Sequence, residues 1–327
     1  MLLLRASLLP MSTTTTTITH PDGTSISTTS SSAAAAPAGL QLWYWNGRGL
    51  MEVARMILAA AGKKAGDDYA DIRVTTDMDA ETGQQLKNGE PVVDADGKPV
   101  MYDKGDKDVR AMASLGAKGE PGLLDINLGR VPLLVCAEGA IGQKRAIDYY
   151  LADCYGLNGA NAFERGTIVA INEALVEMKA AWDKMMPPKD GATDEEKAAN
   201  TAEKIKAWFA ESAAKDYCGP SDMSGTRGER RAMWFMKRLE GVLGDGFAVG
   251  GKLTLADLLI YNQFAEELSD AEIPRPDFPA ARRFPFGDKE ATDAALADYP
   301  KISAIIASVK ADPGVAAYLS GRGKQMF

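Results

Sequence analysis

The stretch from Leu40 to Val74 restricts the fold more than any other. Leu40 to Trp45 has the aromatic-rich composition of a strand. Asn46-Gly47-Arg48-Gly49 then interrupts it. From Leu50 the apolar residues fall at Leu50, Val53, Ala54, Ile57, Leu58 and Ala61, the spacing of one face of a helix, and Gly62 stops it. Tyr69 to Val74 predicts a second strand. Strand, helix, strand at this spacing is a βαβ unit, whose two strands run parallel in one sheet. The glycine turn between strand and helix has two uses. It can cradle an anion, or act as a hinge that leaves Tyr44 facing an opening. A dinucleotide fingerprint is excluded, because its third glycine would fall on Glu52.

Further along, Arg130 to Ala137 predicts a strand opening with Val131-Pro132, and a second strand is expected near Gly139 to Ile141. A helix follows from Gln143. After Gly159 the pattern is almost wholly helical, through Ala162 to Trp182, Lys197 to Lys215, Glu229 to Leu243 and Leu253 to Leu268. The last of these carries the sharpest local signal. Thr254 is a candidate N-cap with Asp257 three residues on, and Leu253 and Leu258 can form the hydrophobic staple. Between the two halves of the sheet lies a polar region, Thr75 to Leu128, read as a surface insertion with a hairpin turn at Asp96-Gly97. Residues 1–39 are runs of Thr, Ser and Ala expected to be disordered. Their apolar tip, with one Arg, is read either as the start of a transit peptide or as an untargeted tail. The domain division is therefore a tail at 1–39, a sheet-containing domain at 40–156 with an insertion around 75–128, and an all-helical domain at 157–327.

Charge and composition remove several function classes. Among 327 residues the net charge is -8, with no long basic run, so nucleic acid is not an expected partner. No apolar run reaches the length of a membrane span. The single histidine, His20, excludes a Ser-His-Asp triad and a multi-histidine metal site, and no metal is expected. Three cysteines, none in a C-x-x-C pair, signal neither a dithiol nor a zinc site and suit a reducing compartment.

Taken in order, four motifs resemble the cytosolic glutathione transferases, and most closely their sigma-like, tyrosine-dependent branch. They are Tyr44-Trp45-Asn46-Gly47-Arg48-Gly49; Gly129-Arg130-Val131-Pro132; Gln143 with Ala146-Ile147 and Tyr150-Leu151-Ala152; and Leu253-Thr254-Leu255-Ala256-Asp257. The resemblance spans roughly residues 40–320. It implies a thioredoxin-like N-terminal domain followed by a helical-bundle C-terminal domain, usually in a homodimer, located in the cytoplasm. It also implies an enzyme that uses glutathione as co-substrate, needs no cofactor and conjugates the thiolate to a small apolar electrophile. On this resemblance Tyr44 donates a hydrogen bond to the glutathione sulfur and Arg48 helps to stabilise negative charge there. Pro132 matches the family's cis-proline, which turns the Val131 backbone towards the cysteinyl part of the ligand. Gln143 matches the residue that holds the γ-glutamyl end.

The chain also departs from that pattern. Lys144 stands where the family has serine after Gln143, and is expected either to pair with the γ-glutamyl carboxylate or to point to solvent. The sigma-like Trp and Lys ahead of Val-Pro have no clear counterpart, although Lys118 is near. The partner-subunit aspartate appears as Val169 or Ala170. The alternatives are a non-catalytic relative that binds glutathione or apolar ligands or serves structurally, and a glutathione-dependent isomerase of the prostaglandin D synthase type. Trp182, Trp208 and Trp234 are expected in the core or lining an apolar site.

Overall fold

The computed structural model describes residues 13–19, 25–31, 37–45, 47–74, 86–87, 90–91, 93, 96–99, 123–185, 191–210, 230–267 and 284–323. Asn46, Lys118, Cys218 and most of the 75–128 insertion lie outside them. In the N-terminal tail the structure pairs β1 (Thr13–Thr19) with β2 (Ser25–Ser31) as an antiparallel hairpin. Disorder was the expectation from composition; the runs contain many β-branched Thr and Ile residues, which favour the pleated conformation.

The central sheet has β3 (Gln41–Trp45), β4 (Ala70–Val74), β7 (Leu133–Cys136) and β8 (Gly139–Gly142), in the order β4-β3-β7-β8. β3 and β4 are parallel, as the βαβ pattern predicts, and β7 runs antiparallel to both β3 and β8. Within the insertion, β5 (Leu86–Lys87) and β6 (Glu90–Pro91) pair, and Val93 bridges Pro99 across a turn in which Gly97 has φ +76°. That is the hairpin expected at Asp96-Gly97.

A single 3-10 turn, Gly49–Met51, leads into α1 (Glu52–Ala60). Val53, Ala54, Ile57 and Leu58 are fully buried, as their spacing predicts. Leu50, placed on the same stripe, is instead 47% exposed. Its place in the 3-10 turn takes it off the helical phase. More telling, Glu52 and Arg55 on the polar side of the helix are also fully buried. The helix is covered on that side by the C-terminal part of the chain, which no local pattern announces. Gly62, with φ +72°, closes the helix through hydrogen bonds from Gly62 N–H to Ala59 O and from Lys63 N–H to Leu58 O.

The remaining helices among the described residues are α2 (Lys144–Cys154), α3 (Ala162–Lys184), α4 (Asp194–Trp208), α5 (Ala232–Val242), α6 (Leu255–Phe264), α7 (Lys289–Leu296), α8 (Pro300–Ala311) and α9 (Pro313–Gly321). α4 opens with a full capping box, Thr193 and Glu196 bonding each other's backbone N–H groups. At α6, Asp257 accepts from the Thr254 N–H, the Thr254 hydroxyl and the Ala248 N–H, so it ties the preceding loop to the helix start. Sheet, α1, α2 and the helical half share one apolar core; Trp43 and Leu133, on the other face of the sheet, form a second small one. Trp182 and Trp208, their rings 5.5 Å apart, sit in the main core with Phe286, and Trp234, half-buried against that core, lines an apolar groove and is flanked by Arg230 and Arg238. No single described helix is long and apolar enough to cross a membrane.

Candidate active site

Sheet register gathers the site. β3 pairs with β7 up to Trp43 opposite Leu133, and β7 pairs with β8 up to Leu133 opposite Gly142. One step beyond those pairs lie Tyr44, Pro132 and Gln143, side by side at one end of the sheet. The Val131–Pro132 peptide bond there is cis. Pro132 O accepts from the Asn127 side-chain amide at 2.9 Å. Asn127 in turn fits against Gly142, where a Cβ would come within 2.5 Å of it. Because β7 pairing starts at Leu133, Val131 lies beyond the paired part of the strand.

Tyr44 is buried, with its ring under the glycine turn. Its hydroxyl accepts a hydrogen bond from the Leu50 backbone N–H at 3.1 Å. That bond uses an oxygen lone pair and leaves the hydroxyl proton available for another acceptor. Burial pushes the Tyr44 phenol above its ordinary value, and the Leu50 N–H and nearby Arg55 only partly oppose this. The group is therefore a neutral donor at neutral pH. Gly49 makes the arrangement possible. It has φ +36°, and a Cβ built on it would lie 2.7 Å from the Tyr44 hydroxyl oxygen. The glycine is required by the close approach of the phenol, which answers what the turn is for.

Arg48 is buried, and its Nη1 donates to the Glu267 carbonyl at 2.7 Å. Its guanidinium is thus held against the segment after α6. Gln143 is exposed and forms the N-cap of α2 with φ 70° and ψ 123°, a strained backbone for a non-glycine residue. Such strain is typical of positions held for function. Lys144, partly exposed, has a protein partner on its own helix. Its ammonium lies 2.6 Å from Asp148 Oδ2, one helical turn on. Asp148 is buried, and burial raises its pKa against the opposing pull of Lys144. A short-range partner at i+4 is a contact that the family comparison of one residue with one residue does not consider.

Behind the turn is a buried ionic network that no motif indicates. Arg55 Nη1 donates to Gly47 O at 2.7 Å and to Arg48 O at 3.4 Å, and its Nε lies 3.1 Å from Asp71 on β4. Arg55 also pairs with Glu52 at 3.3 Å. Glu52 Oε1 accepts from the Tyr318 hydroxyl at 2.9 Å and from Arg322, which also lies 2.7 Å from Glu266. The available sequence signal is slight: a Glu and an Arg, three residues apart, in an otherwise apolar helix.

The helical half supports an independent comparison. Residues 223–322 match the family model for the glutathione S-transferase C-terminal domain. Among solved structures, rat hPGDS complexed with a quinoline superposes with a TM-score of 0.50 at 16% identity, over 88% of this chain and all of that one (100%). This chain has the glutathione transferase fold. Transferases from the hookworm Necator americanus (Na-GST-3, 16% identity, 89% and 100% coverage) and from C. elegans (18%, 88% and 99%) each match with a TM-score of 0.49. The small mixed sheet followed by a run of helices is the architecture that the motif order implies.

Proposed function

We propose that this chain is a glutathione transferase in which Tyr44 activates the thiol of glutathione. The observation that carries this reading is the Tyr44 hydroxyl: buried, neutral, bonded by Leu50 N–H and left with its proton free, at the sheet end that also holds the cis Val131–Pro132 bond and Gln143. A hydrogen-bond donor favours a thiolate over a thiol and so lowers the thiol pKa. The thiolate is the nucleophile. The displaced proton goes to solvent, the sulfur forms a bond to the electrophilic carbon, and a leaving group such as halide departs with its electron pair. Glutathione would lie along the open end of β7, its cysteinyl amide matched by the Val131 backbone as an added strand. Its γ-glutamyl carboxylate would meet Gln143 and the N-terminus of α2, where backbone N–H groups favour an anion. Arg48 adds positive charge beside the turn. Lys144 supports the site through Asp148 rather than by direct contact.

The test is turnover of a generic aryl halide with glutathione by wild type and Tyr44→Phe. Loss of one transition-state donor should lower kcat/KM by roughly 10–1000-fold with little change in glutathione affinity. Undiminished turnover in the variant rejects Tyr44 as the activating group. A second reading, glutathione binding without conjugation, draws support from the engagement of both Arg48 and Lys144 with protein partners. It is distinguished by glutathione binding in the absence of wild-type turnover. A glutathione-dependent isomerase uses the same activated thiol and would show as turnover of an endoperoxide without consumption of glutathione. The chain is further proposed to be a cytoplasmic homodimer. An apolar groove of about 680 Å³ between α3 and α5, bordered by Phe163 at 84% exposure and by Val242, is the kind of surface that a second subunit covers. The mass in solution decides it.

A further inference from the structure

We infer that Arg322 and Tyr318, at the C-terminal end of the fold, are positioning residues for the Tyr44 hydroxyl. The inference rests on the reading of Tyr44 as the thiol-activating donor, and it follows a continuous series of contacts. Arg322 donates to Glu52, and the Tyr318 hydroxyl donates to the same carboxylate oxygen at 2.9 Å. The other Glu52 oxygen lies 3.3 Å from Arg55 Nη1. That same Nη1 donates to the carbonyl oxygens of Gly47 and Arg48. These carbonyls belong to the turn whose next residues are Gly49, packed against the phenol, and Leu50, whose N–H holds the hydroxyl. The links from Arg322 and Tyr318 through Glu52 and Arg55 to the turn carbonyls are charge-assisted hydrogen bonds, and the last, from Leu50 N–H to the phenol, is a neutral one.

One further contact braces the same turn from the C-terminal half, and another ties Arg322 to the segment that makes it. Arg48 donates to Glu267 O at 2.7 Å, and Arg322 also pairs with Glu266 at 2.7 Å. The base of the helix that carries Tyr318 is seated just as tightly. Gly314 in α9 lies so close to α1 that a Cβ there would be 2.0 Å from Ala59 O. The helix that carries Tyr318 is thus packed closely on α1, the helix that carries Glu52 and Arg55. Arg55 is pinned on its far side by Asp71, so the slack in the chain of contacts is small.

Arg322 and Tyr318 act through Glu52. Their effect is on where the hydroxyl points. A supporting shell of this kind holds a reacting group to within a fraction of an ångström, and misplacement on the scale of about 1 Å costs up to roughly 100-fold in rate.

The experiment compares wild type with Arg322→Met, Arg322→Lys and Tyr318→Phe, the last removing one hydroxyl only and serving if Arg322→Met does not fold. Two readouts are taken on folded protein. The first is the pH profile of kcat/KM for conjugation of an aryl halide, alongside the glutathione dissociation constant. Expected is a fall in kcat of roughly 10-fold in Arg322→Met, a smaller fall in Tyr318→Phe and partial rescue in Arg322→Lys. The apparent thiol pKa should move upwards while glutathione affinity stays the same. The second readout is the ¹⁹F resonance of Tyr44 in protein labelled with 3-fluorotyrosine, assigned by its loss in Tyr44→Phe. It should shift in Arg322→Met and in Tyr318→Phe. A Tyr44 resonance and a pH profile unchanged in either folded variant overturn the inference. A shifted resonance in a protein whose wild type does not conjugate glutathione keeps the positioning role and rejects the transferase reading, so the two failures are distinct.

Discussion

A phenol becomes an effective donor when its oxygen is held and its proton is left over. Tyr44 satisfies both conditions through one backbone N–H, that of Leu50, and through a glycine that clears room for the ring. Gly49→Ala tests this directly. The new methyl would overlap the hydroxyl oxygen in a residue already at positive φ, so the ring must move. Expected is a loss of kcat/KM of roughly 10–100-fold, with the thiol pKa of bound glutathione raised. A melting temperature lowered without any effect on turnover would show that the contact serves packing alone. Lys144 makes the opposite point. Its ammonium is committed to buried Asp148, so Lys144→Ala should cost stability by about 1–2 kcal/mol, less than a fully buried pair because the lysine is partly exposed. Glutathione affinity measured by calorimetry should be unchanged at both low and high salt. A several-fold weaker dissociation constant at low salt would return Lys144 to the ligand.

Helix starts in this chain do more than begin helices. At α6, Asp257 takes three hydrogen bonds, two from Thr254 and one from the Ala248 N–H. Replacing Thr254 removes one donor, whereas replacing Asp257 strands two buried N–H groups. Asp257→Ala is therefore expected to destabilise by about 3 kcal/mol, against about 1 kcal/mol for Thr254→Ala. Chemical denaturation of both variants checks the ranking, and equal losses would mean that the Ala248 bond contributes nothing. The start of α2 is of another kind. Gln143 caps no N–H with its side chain and sits in a strained backbone, at a helix N-terminus beside the cis peptide. A helix start that forgoes capping leaves its N–H groups for a ligand.

Across the whole molecule, α1 is the shared wall between the sheet and the helical half. Its Glu52 and Arg55 link the turn at Tyr44 to the C-terminal Arg322, and Glu266 lies in the same enclosure. Burial and the neighbouring Glu52 carboxylate push the Glu266 carboxyl up to about 7, with Arg322 and Arg48 opposing. In the unfolded chain such a group ionises near 4.3. Between these values the folded protein binds more protons than the unfolded one, so stability falls as pH rises through the interval. Its contribution is fully present below the unfolded value and lost above about 7. Asp148 and Asp257, both raised by burial, act in the same direction. Glu266→Gln should flatten the decline of unfolding free energy between about pH 5 and 7 by an amount on the order of 1–3 kcal/mol. Parallel melting curves for wild type and variant across that range would place the proton elsewhere.

What was legible in the sequence was local. The βαβ unit, the Val-Pro strand, the second strand at Gly139 and the Thr254–Asp257 cap each depend on residues close together in the chain, and the motifs were legible one by one for the same reason. Steric rules, hydrophobic period and capping act at that range. The same locality explains what was not legible. Glu52 and Arg55 fall on the polar face of an amphipathic pattern; Glu52 finds Tyr318 and Arg322, more than 260 residues away, and Arg55 finds Asp71 on the neighbouring strand. The helices α8 and α9 begin at prolines, Pro300 and Pro313, a start signal too weak to show where they pack. The sequence by itself determined the βαβ unit, the Val-Pro strand and its neighbour, the helices as far as α6, and the identity of the residues at the sheet end. The tertiary structure alone decided which charges lost their water and which partners compensated them, because desolvation is set by neighbours that the chain brings together only when folded.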